Sequence, residues 1–292
     1  MYKAIAANKR NTLLIMVVFV GLISAIGWVV SYIYGDKNIT YYVIAGAAIY
    51  AFVQYFIATK LAVAMTGATQ IEKRDNPRFY RIVENLAITT GTQTPQIYII
   101  DDPAPNAFAT GRDPKHAIVA ATTGLIDIMD DSELEAVMAH EMGHVQNYDI
   151  RIGMIAFGLV SAIGLLTDIV LRMFIFGDRR DNNDNSAIGM IIGIIVLILA
   201  PIIAAIIQMA ISRQREYLAD ATSAMTTRNP DSMISALEKL RKQGRPMKRQ
   251  NTSSAHLFIS DPLKPGFVSK LFSTHPPLED RINRLRNNEN KF

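Results

Sequence analysis

The stretch "AVMAHEMGHVQNYD" contains residues whose types and spacing suit metal-dependent hydrolysis. His140 and His144 are four positions apart, so on a helix both imidazoles lie on one face and can contact a single ion at about 2.0 to 2.1 Å. Glu141 projects to the side of that face, where it can reach a water without ligating the ion. Zinc lowers the pKa of such a water toward about 7, and the carboxylate can take its proton for attack on a peptide carbonyl. The pattern therefore predicts metal-assisted hydrolysis with Glu141 as general base.

A tetrahedral zinc site needs a third protein ligand, and because the chain has no cysteine that ligand must be His, Asp or Glu. The metzincin continuation would require a glycine and a histidine where this chain has Asn147 and Ile150, so that class is excluded. The best candidate is Glu216 in "REYLAD". Asp220 lies one helical turn later on the same face, where it could accept a hydrogen bond from a ligating imidazole. Such a pair is common on solvated helices, and its place after an apolar hairpin is what favours the metal site.

The remaining histidines have weaker signals. His275, in "THPPLEDR", is held by two prolines and could donate to the oxyanion of a tetrahedral intermediate, with a plain role at a helix start as the alternative. His116 follows Lys115 at a strand start and is expected at the surface. His256 lies in a polar stretch, "RPMKRQNTSS" and its continuation, that is predicted to be a solvated and mobile loop.

Four long apolar segments predict a membrane protein rather than a soluble one. Half of the residues are hydrophobic, and apolar runs of about 20 residues are long enough to cross the hydrocarbon core of a bilayer. The third run contains Asp168 and Arg172, which lie one turn apart and could pair on one face. The first run is too long for a cleaved signal peptide, so a retained anchor is predicted. Burial of all four in a large soluble protein is the alternative. The predicted spans are residues 13–34, 39–59, 152–176 and 188–211.

The distribution of basic residues predicts the orientation and excludes nucleic acid as a partner. The net charge is +4, but Lys and Arg lie beside the apolar runs rather than in one basic stripe, so the lipid bilayer is the expected partner. The N-terminus, residues 60–151 and the tail from Arg213 hold most of them and should share the cytoplasmic side. Arg179 and Arg180 lie in a connection that should face outward. A second hairpin that dips in without crossing is therefore the alternative.

The polar block between the second and third spans is predicted to contain a small sheet and the motif helix. Pro77 and Gly91 bound one helix, and "PQIYIID", "NAFATG" and "HAIVAATTGLI" are typical of strands. Ser132 and Glu135 fit a capping box at the start of the helix that carries the histidines. An extended substrate could pair with the sheet edge, with an ordinary edge strand as the alternative. The residues predicted for this pairing are Asn106, Ala107, Phe108 and Ala109.

Together these signals predict an alternation of membrane and cytoplasmic parts. Helices are expected in "SRQREYLADATSAM", in "PDSMISALEKLRKQG" and after Pro276 or Pro277. The predicted parts are residues 1–60, an N-terminal transmembrane hairpin; 61–151, the cytoplasmic catalytic part; 152–211, a second transmembrane hairpin; and 212–292, a cytoplasmic helical part with the third zinc ligand and the His-Pro element.

The motifs "AHEMGHVQNYD", "REYLADATSA", "NAFATG" and "STHPPLEDRI" together resemble the M48 family of membrane zinc metallopeptidases, over essentially the whole chain. The resemblance implies a mainly α-helical multi-pass membrane protein with a small β-sheet in a gluzincin-type cytoplasmic metalloprotease domain. It implies one Zn²⁺ held by His140, His144 and Glu216, with Glu141 as base and supporting roles for Asp220 and His275. It also implies quality control of misfolded or damaged membrane proteins, in a stress response, at the bacterial cytoplasmic membrane.

Two other classes of membrane protease do not fit the sequence. A prenyl-protein endoprotease of the same family would need more spans than this length provides, and an intramembrane protease of the site-2 type would carry His-Glu-x-x-His inside an apolar span. From another class, a non-catalytic zinc-binding membrane adaptor is the alternative, and under that interpretation Glu141 would be dispensable.

Overall fold

The computed structural model describes residues 2–176, 213–251, 253–264 and 276–288. Most of these residues are helical, and residues between 69 and 122 contribute the four strands of a small mixed sheet. The helices are α1 Tyr2–Tyr34, α2 Asn38–Thr66, α3 Pro77–Thr90, α4 Thr123–Ile128, α5 Asp131–Gln146, α6 Asp149–Phe176, α7 Arg213–Thr227, α8 Pro230–Gln243 and α9 Leu278–Asn288. The strands are β1 Thr69–Gln70, β2 Gln96–Ile100, β3 Ala107–Gly111 and β4 Ala117–Thr122.

Two helices of the described part are long and apolar enough to cross a membrane, through segment Ile5–Ala25 of α1 and Asn38–Thr66 of α2. They overlap the first two predicted spans, 13–34 and 39–59, although the first segment begins and ends earlier in the chain and the second is longer. The tight turn between them is confirmed, with Gly35 in the left-handed region at φ 70°. The third predicted span lies within the continuous helix α6. The fourth, 188–211, lies outside the described residues, so the number of crossings stays a prediction.

The first half of α6 packs against both of these helices. Buried side chains from α1, α2 and α6 form one apolar cluster that includes Ile15, Ala58 and Phe157. The opposite sides of α1 and α2 expose large apolar groups such as Val17 and Phe52, a surface that only lipid or another apolar partner would cover. Helices α1 and α2 thus present an apolar exterior, and their inner sides pack against the first half of α6.

Buried polar contacts fix α6 against α2. The Gln54 side-chain amide donates to Met154 O at 3.2 Å, and the Tyr50 hydroxyl donates to Gly158 O at 2.8 Å. A Cβ on Gly158 would lie 1.8 Å from the Gln54 Nε2 atom, so a glycine is required for this approach. Because α6 begins just after the motif helix, these contacts also help to locate the metal centre relative to the membrane helices.

The sheet has the order β1-β2-β4-β3, with β2 and β4 parallel and the other pairs antiparallel. The three strands predicted from sequence are confirmed, except that the last four residues of the third motif, 123–126, belong to α4. The short strand β1 was not predicted. Strand β3 is at the edge of the sheet and is buried along its length, because α5 and the segment around Phe258 pack beside it.

Helix α5 packs between the sheet and the C-terminal helices. It is buried from Leu134 to Val145 apart from Glu135 and His144, which are partly exposed. The predicted capping box was wrong by two residues. Asp130 accepts from Glu133 N, and Glu133 accepts from Asp130 N. Glu133 is chosen because it is buried and also accepts hydrogen bonds from Ser235 at 2.6 Å and Lys239 at 2.5 Å, both on α8.

The C-terminal helices α7, α8 and α9 surround α5 and agree with the predicted helical segments. Ser223 on α7 donates to Ala136 O at 2.6 Å, which joins α7 to α5 across 87 positions of sequence. Asn229 caps α8 by accepting from Ser232 N, with Pro230 in its first turn. Ile282 and Leu285 of α9 enter the same apolar core. The core therefore holds the two predicted halves of the site together.

The stretch predicted to be a solvated, mobile loop is anchored to the sheet. Met247 is buried and donates its backbone N–H to Pro262 O at 3.0 Å. Lys248 N donates to the Asp102 carboxylate at 2.6 Å. As predicted, most described residues of this stretch are exposed and form no helix or strand. The burial of Met247 was not predicted, because a single apolar residue in a basic stretch gives little sequence signal, and it packs in a cluster beside the sheet.

Candidate metal centre

Three side chains from two helices meet at one point beside α5. The Nε2 atoms of His140 and His144 are 3.2 Å apart. Glu216 on α7 places its Oε1 atom 3.4 Å from His144 Nε2 and its Oε2 atom 3.7 Å from His140 Nε2. One donor atom from each residue can be chosen so that all lie within 4.8 Å of one another. The structure thus brings together the three ligands that the sequence predicted.

These separations agree with the geometry of zinc. Tetrahedral ligands at about 2.0 to 2.2 Å from the ion lie roughly 3.3 to 3.6 Å from each other. The two imidazole planes cross at 89° with ring centroids 4.7 Å apart, so both lone pairs can point at a common centre. Two imidazoles and one carboxylate, with a fourth position open to solvent, are the donor set of a catalytic zinc site. The residues therefore fit the metal.

Asp220 and Arg281 support His140. The Nδ1 atom of His140 is 2.9 Å from Asp220 Oδ1, as predicted from the spacing of Glu216 and Asp220. Arg281 donates twice to Asp220, with Nη2 at 2.6 Å from Oδ1 and Nε at 2.9 Å from Oδ2. Its guanidinium is completely buried. Sequence reasoning missed Arg281, which lies within the quoted "STHPPLEDRI" motif but has no local spacing that indicates a metal.

Asp149 supports His144. Its Oδ2 atom is 3.1 Å from His144 Nδ1, and the residue is only 9% exposed. A carboxylate on the outer ring nitrogen fixes the tautomer that leaves Nε2 available to a metal. Sequence reasoning missed this role, although an acid five positions after His144, at the start of the next helix, is a signal that could have been used.

The donor atoms lie at the base of a cleft. Glu141 is 2% exposed and lines this cleft beside the three candidate ligands. Strand β3 contributes Ala109 to the wall, and α6 contributes Ile150. A polypeptide could therefore approach the ligands along the edge of the sheet.

Comparison with known proteins identifies the family. The profile of peptidase family M48 matches residues 73–289, about three quarters of the chain. The chain belongs to peptidase family M48. A protein named protease HtpX homolog from Tropheryma whipplei is 56% identical over 292 residues, with all of both chains covered. A protein of the same name from Streptococcus gordonii is 44% identical, covering 98% of this chain and 99% of the relative.

A solved structure has a similar fold. Ste24p of S. mikatae matches with a TM-score of 0.50 and 18% identity, covering 98% of this chain and 67% of that one. At this identity the likeness concerns the fold alone. The resemblance predicted from the motifs is confirmed by the family match and the relatives, and the chain is an M48 metalloprotease.

The pKa values of the two candidate histidine ligands of this M48 peptidase are shifted in opposite directions. Burial and the nearby charge of Arg281 lower the pKa of His140 to about 4, against the opposing effect of Asp220. Burial also disfavours the charged form of His144, but the carboxylates of Asp149, Glu216 and Glu141 outweigh it and raise its pKa to about 9. Without metal, His144 therefore carries a proton that it can donate to the neutral His140 ring.

Charge compensation explains the state of Asp220. Burial alone would raise the pKa of this carboxyl, but the charge of Arg281 and the hydrogen bonds from His140 and Arg281 lower it below its usual range. The same carboxylate raises the pKa of the buried Arg281 guanidinium. The pair is therefore ionised at neutral pH.

His256 lines the cleft, contrary to the expectation that it lies in a mobile loop. Its Nε2 atom is 3.0 Å from Gly153 O on α6. The segment that follows extends along the free edge of β3, where Ile259 N donates to Ala107 O at 2.9 Å and Phe258 forms a bridge with Phe108. Sequence reasoning could not find this position, because it depends on pairing between segments about 150 residues apart.

The remaining histidines and the predicted substrate strand lie at different places relative to the cleft. His116 is exposed and its Nδ1 is 2.7 Å from Asp113 Oδ1, so the expected surface position is confirmed. His275 lies outside the described residues. Of the predicted substrate strand, Asn106 bonds through its side chain to Ser260, and Ala109 is the member that lines the cleft.

Proposed function

We propose that this M48 metalloprotease is a zinc-dependent endopeptidase that hydrolyses misfolded or damaged membrane proteins, with Glu141 as general base. The observation that carries the proposal is the arrangement of α5 and α7, in which a buried glutamate lies beside two imidazoles and a carboxylate at tetrahedral spacing. The bacterial relatives named protease HtpX homolog support the same activity.

Each side chain of the site has a role that follows from its chemistry. His140, His144 and Glu216 would hold a zinc ion, which when bound would lower the pKa of water and polarise a carbonyl. Glu141 accepts the proton of the attacking water and returns it to the leaving amine. Asp220 and Asp149 orient the two imidazoles through their Nδ1 atoms. His275 donates to the developing oxyanion, a role predicted from its motif.

The substrate enters in extended form along β3. Ala109 supports this assignment because it lies at the edge of the sheet and lines the cleft together with Glu141. The chain's own residues from Phe258 to Ser260 already pair with the other end of the predicted strand. Pairing of substrate at Asn106, Ala107 and Phe108 therefore requires that this segment be displaced, whereas pairing at Ala109 does not.

The deciding experiment replaces Glu141 by Gln in the full chain, purified in detergent and loaded with zinc. Casein cleavage and self-cleavage should fall by at least about a hundredfold, because a general base contributes roughly 10² to 10⁴, while zinc content stays at the parental level. The matched control is Glu135→Gln on the same helix. Glu135 is not among the residues that line the cleft, so this variant should retain activity. Equal activity of parent and Glu141→Gln would remove the proposed mechanism and favour the adaptor interpretation.

The site faces the cytoplasm of a bacterial cell, with α1 and α2 as a transmembrane hairpin and 188–211 as the last crossing. Lys9 and Arg10 at the start of α1 support this orientation. Because the chain has no cysteine, single-cysteine variants can test it directly. An impermeant maleimide on intact cells should label Lys37→Cys and Asn183→Cys but leave Lys73→Cys unlabelled until the cells are permeabilised. Labelling of Lys73→Cys alone in intact cells would reverse the orientation, and protection of Asn183→Cys would favour a hairpin that does not cross.

A further inference from the structure

Asp149 is held on its outer side by a residue of the first membrane helix. The Asn8 side-chain amide donates to Asp149 Oδ1 at 2.6 Å and to Asn147 O at 2.8 Å. Both of its N–H groups thus serve the turn between α5 and α6, across about 140 positions of sequence. Asn8 is 5% exposed, and a buried amide keeps such bonds because leaving its partners unpaired costs free energy.

The same turn is contacted by the next residue of α1. The ammonium of Lys9 lies 4.8 Å from the centre of the Tyr148 ring, and the guanidinium of Arg151 lies 4.9 Å from it. Tyr148 has φ 62°, a left-handed conformation that a residue with a side chain adopts only when its surroundings hold it there. Two consecutive residues of α1 therefore contact both residues of the turn between α5 and α6, Asn147 and Tyr148, and the first residue of α6, Asp149.

We infer that Asn8 is a positioning residue of the metal centre, acting on His144 through Asp149. The chain of contacts runs from the Asn8 amide to Asp149 Oδ1, and from Asp149 Oδ2 to His144 Nδ1 at 3.1 Å. The inference rests on the proposed zinc site. It means that the N-terminal helix is part of the active site's support as well as an anchor, so that displacing α1 loosens one ligand while leaving the other two in place.

The test compares zinc binding by Asn8→Leu and the parent, both as full-length chains in detergent, using chelator competition. Zinc affinity should fall about tenfold, the lower end of the range for losing a partner that orients a ligand. With Co²⁺ in place of zinc, the visible absorption bands should shift, because the angle of the His144 ring changes. The matched control is Thr12→Val, one turn along the same face of α1, where the hydroxyl bonds only within its own helix to Asn8 O. Its affinity and spectrum should equal those of the parent.

A double-mutant cycle then separates positioning from general damage. In an Asp149→Ala background, Asn8→Leu should produce less than a twofold further loss of zinc affinity, because the path to His144 is already broken. Additive losses, or a parental affinity and cobalt spectrum for Asn8→Leu, would overturn the inference. Asn8→Ala is measured in parallel, and whichever variant keeps parental helicity and elution volume decides. If neither variant folds, Asn8 belongs to folding rather than to positioning and the inference is wrong.

The outcome for the proposed function is read from a different variant. His144→Ala should abolish tight zinc binding. If the parent binds no zinc, or His144→Ala binds it as well as the parent, the metal site itself is wrong. If His144→Ala and Asp149→Ala lose affinity and Asn8→Leu does not, only the role of Asn8 fails.

Discussion

The two candidate histidine ligands are supported from opposite sides of the molecule by different chemistry. On the side of the C-terminal helices, His140 contacts Asp220, whose two oxygens both accept hydrogen bonds from the guanidinium of Arg281 in α9. On the membrane side, His144 contacts Asp149, whose outer oxygen accepts from the neutral amide of Asn8 in α1. The Asp220 carboxylate is thus paired with a hydrogen-bonded guanidinium, whereas Asp149 is bonded to a neutral amide, and the Arg215 guanidinium lies 3.8 Å from its Oδ1 atom.

This difference accounts for the opposite pKa shifts of two rings that are one helical turn apart. Burial lowers the pKa of His140 to about 4, and Arg281 adds to the effect of burial. The same burial acts on His144, but the negative charge around it raises its pKa to about 9. The pair therefore holds a single proton between its Nε2 atoms at neutral pH, at the position that a metal would take. A metal centre can be preorganised in this way without both ligands being protonated.

The largest expected effect comes from breaking the charged support. Arg281→Met leaves the Asp220 carboxylate buried and uncompensated, a loss of about 3 to 5 kcal/mol in the free energy of unfolding. We expect a clear fall in the unfolding midpoint of the metal-free protein in urea. The control is Arg286→Met on the same helix as Arg281, which removes an exposed ion pair with Glu238 of α8. It should change the free energy of unfolding by less than about 1 kcal/mol. Equal midpoints for the two variants would mean that the buried pair does not stabilise this fold.

An intermediate effect separates the two carboxylates. Asp220→Asn and Asp149→Asn should each weaken zinc binding by about 10- to 100-fold, because each partner orients a ligand. Asp220→Asn should also destabilise the metal-free protein, since Arg281 is then buried without its counter-ion. Asp149→Asn should leave stability closer to the parent. Chelator competition and urea unfolding measure the two effects, and identical results for both variants would remove the contrast between the supports.

The smallest expected effect is the change in zinc affinity for each pH unit. Because the metal-free His144 has a pKa near 9, zinc must displace its proton below that pH. Apparent affinity should therefore rise about tenfold per pH unit from pH 7 to about 9, since one pKa unit is 1.36 kcal/mol, and level off above. Calorimetry in two buffers with different ionisation enthalpies should give about one proton released per zinc at pH 7. Release of no proton would show that His144 is already neutral.

The same two shifts act in opposite directions on the stability of the metal-free protein. The raised pKa of His144 contributes stability that is fully present below about pH 6.5 and is lost as pH rises through about 9. The lowered pKa of His140 contributes stability that is present above about pH 6.5 and is lost as pH falls through about 4. From these groups, stability without metal should be greatest near pH 6.5. In His144→Gln, the loss on the alkaline side should disappear.

Much of the site could be predicted from sequence because its signals are local. The four-residue spacing of His140 and His144, and of Glu216 and Asp220, puts each pair on one helix face whatever the rest of the chain does. The capping box shows the limit of such local reasoning. "DDSELE" contains two overlapping matches, and the choice of Asp130 with Glu133 depends on Lys239 and Ser235 from another helix.

The sequence by itself indicated the family, the apolar helices and the candidate metal-binding side chains, since each depends on residue type and short spacing. Only the tertiary structure decided what holds those side chains. Arg281 is 61 positions from Asp220, and Asn8 is 141 positions from Asp149. His256 likewise reaches the cleft through strand pairing. Such contacts have no periodic trace in the sequence, because they arise where packed elements meet rather than along any one of them.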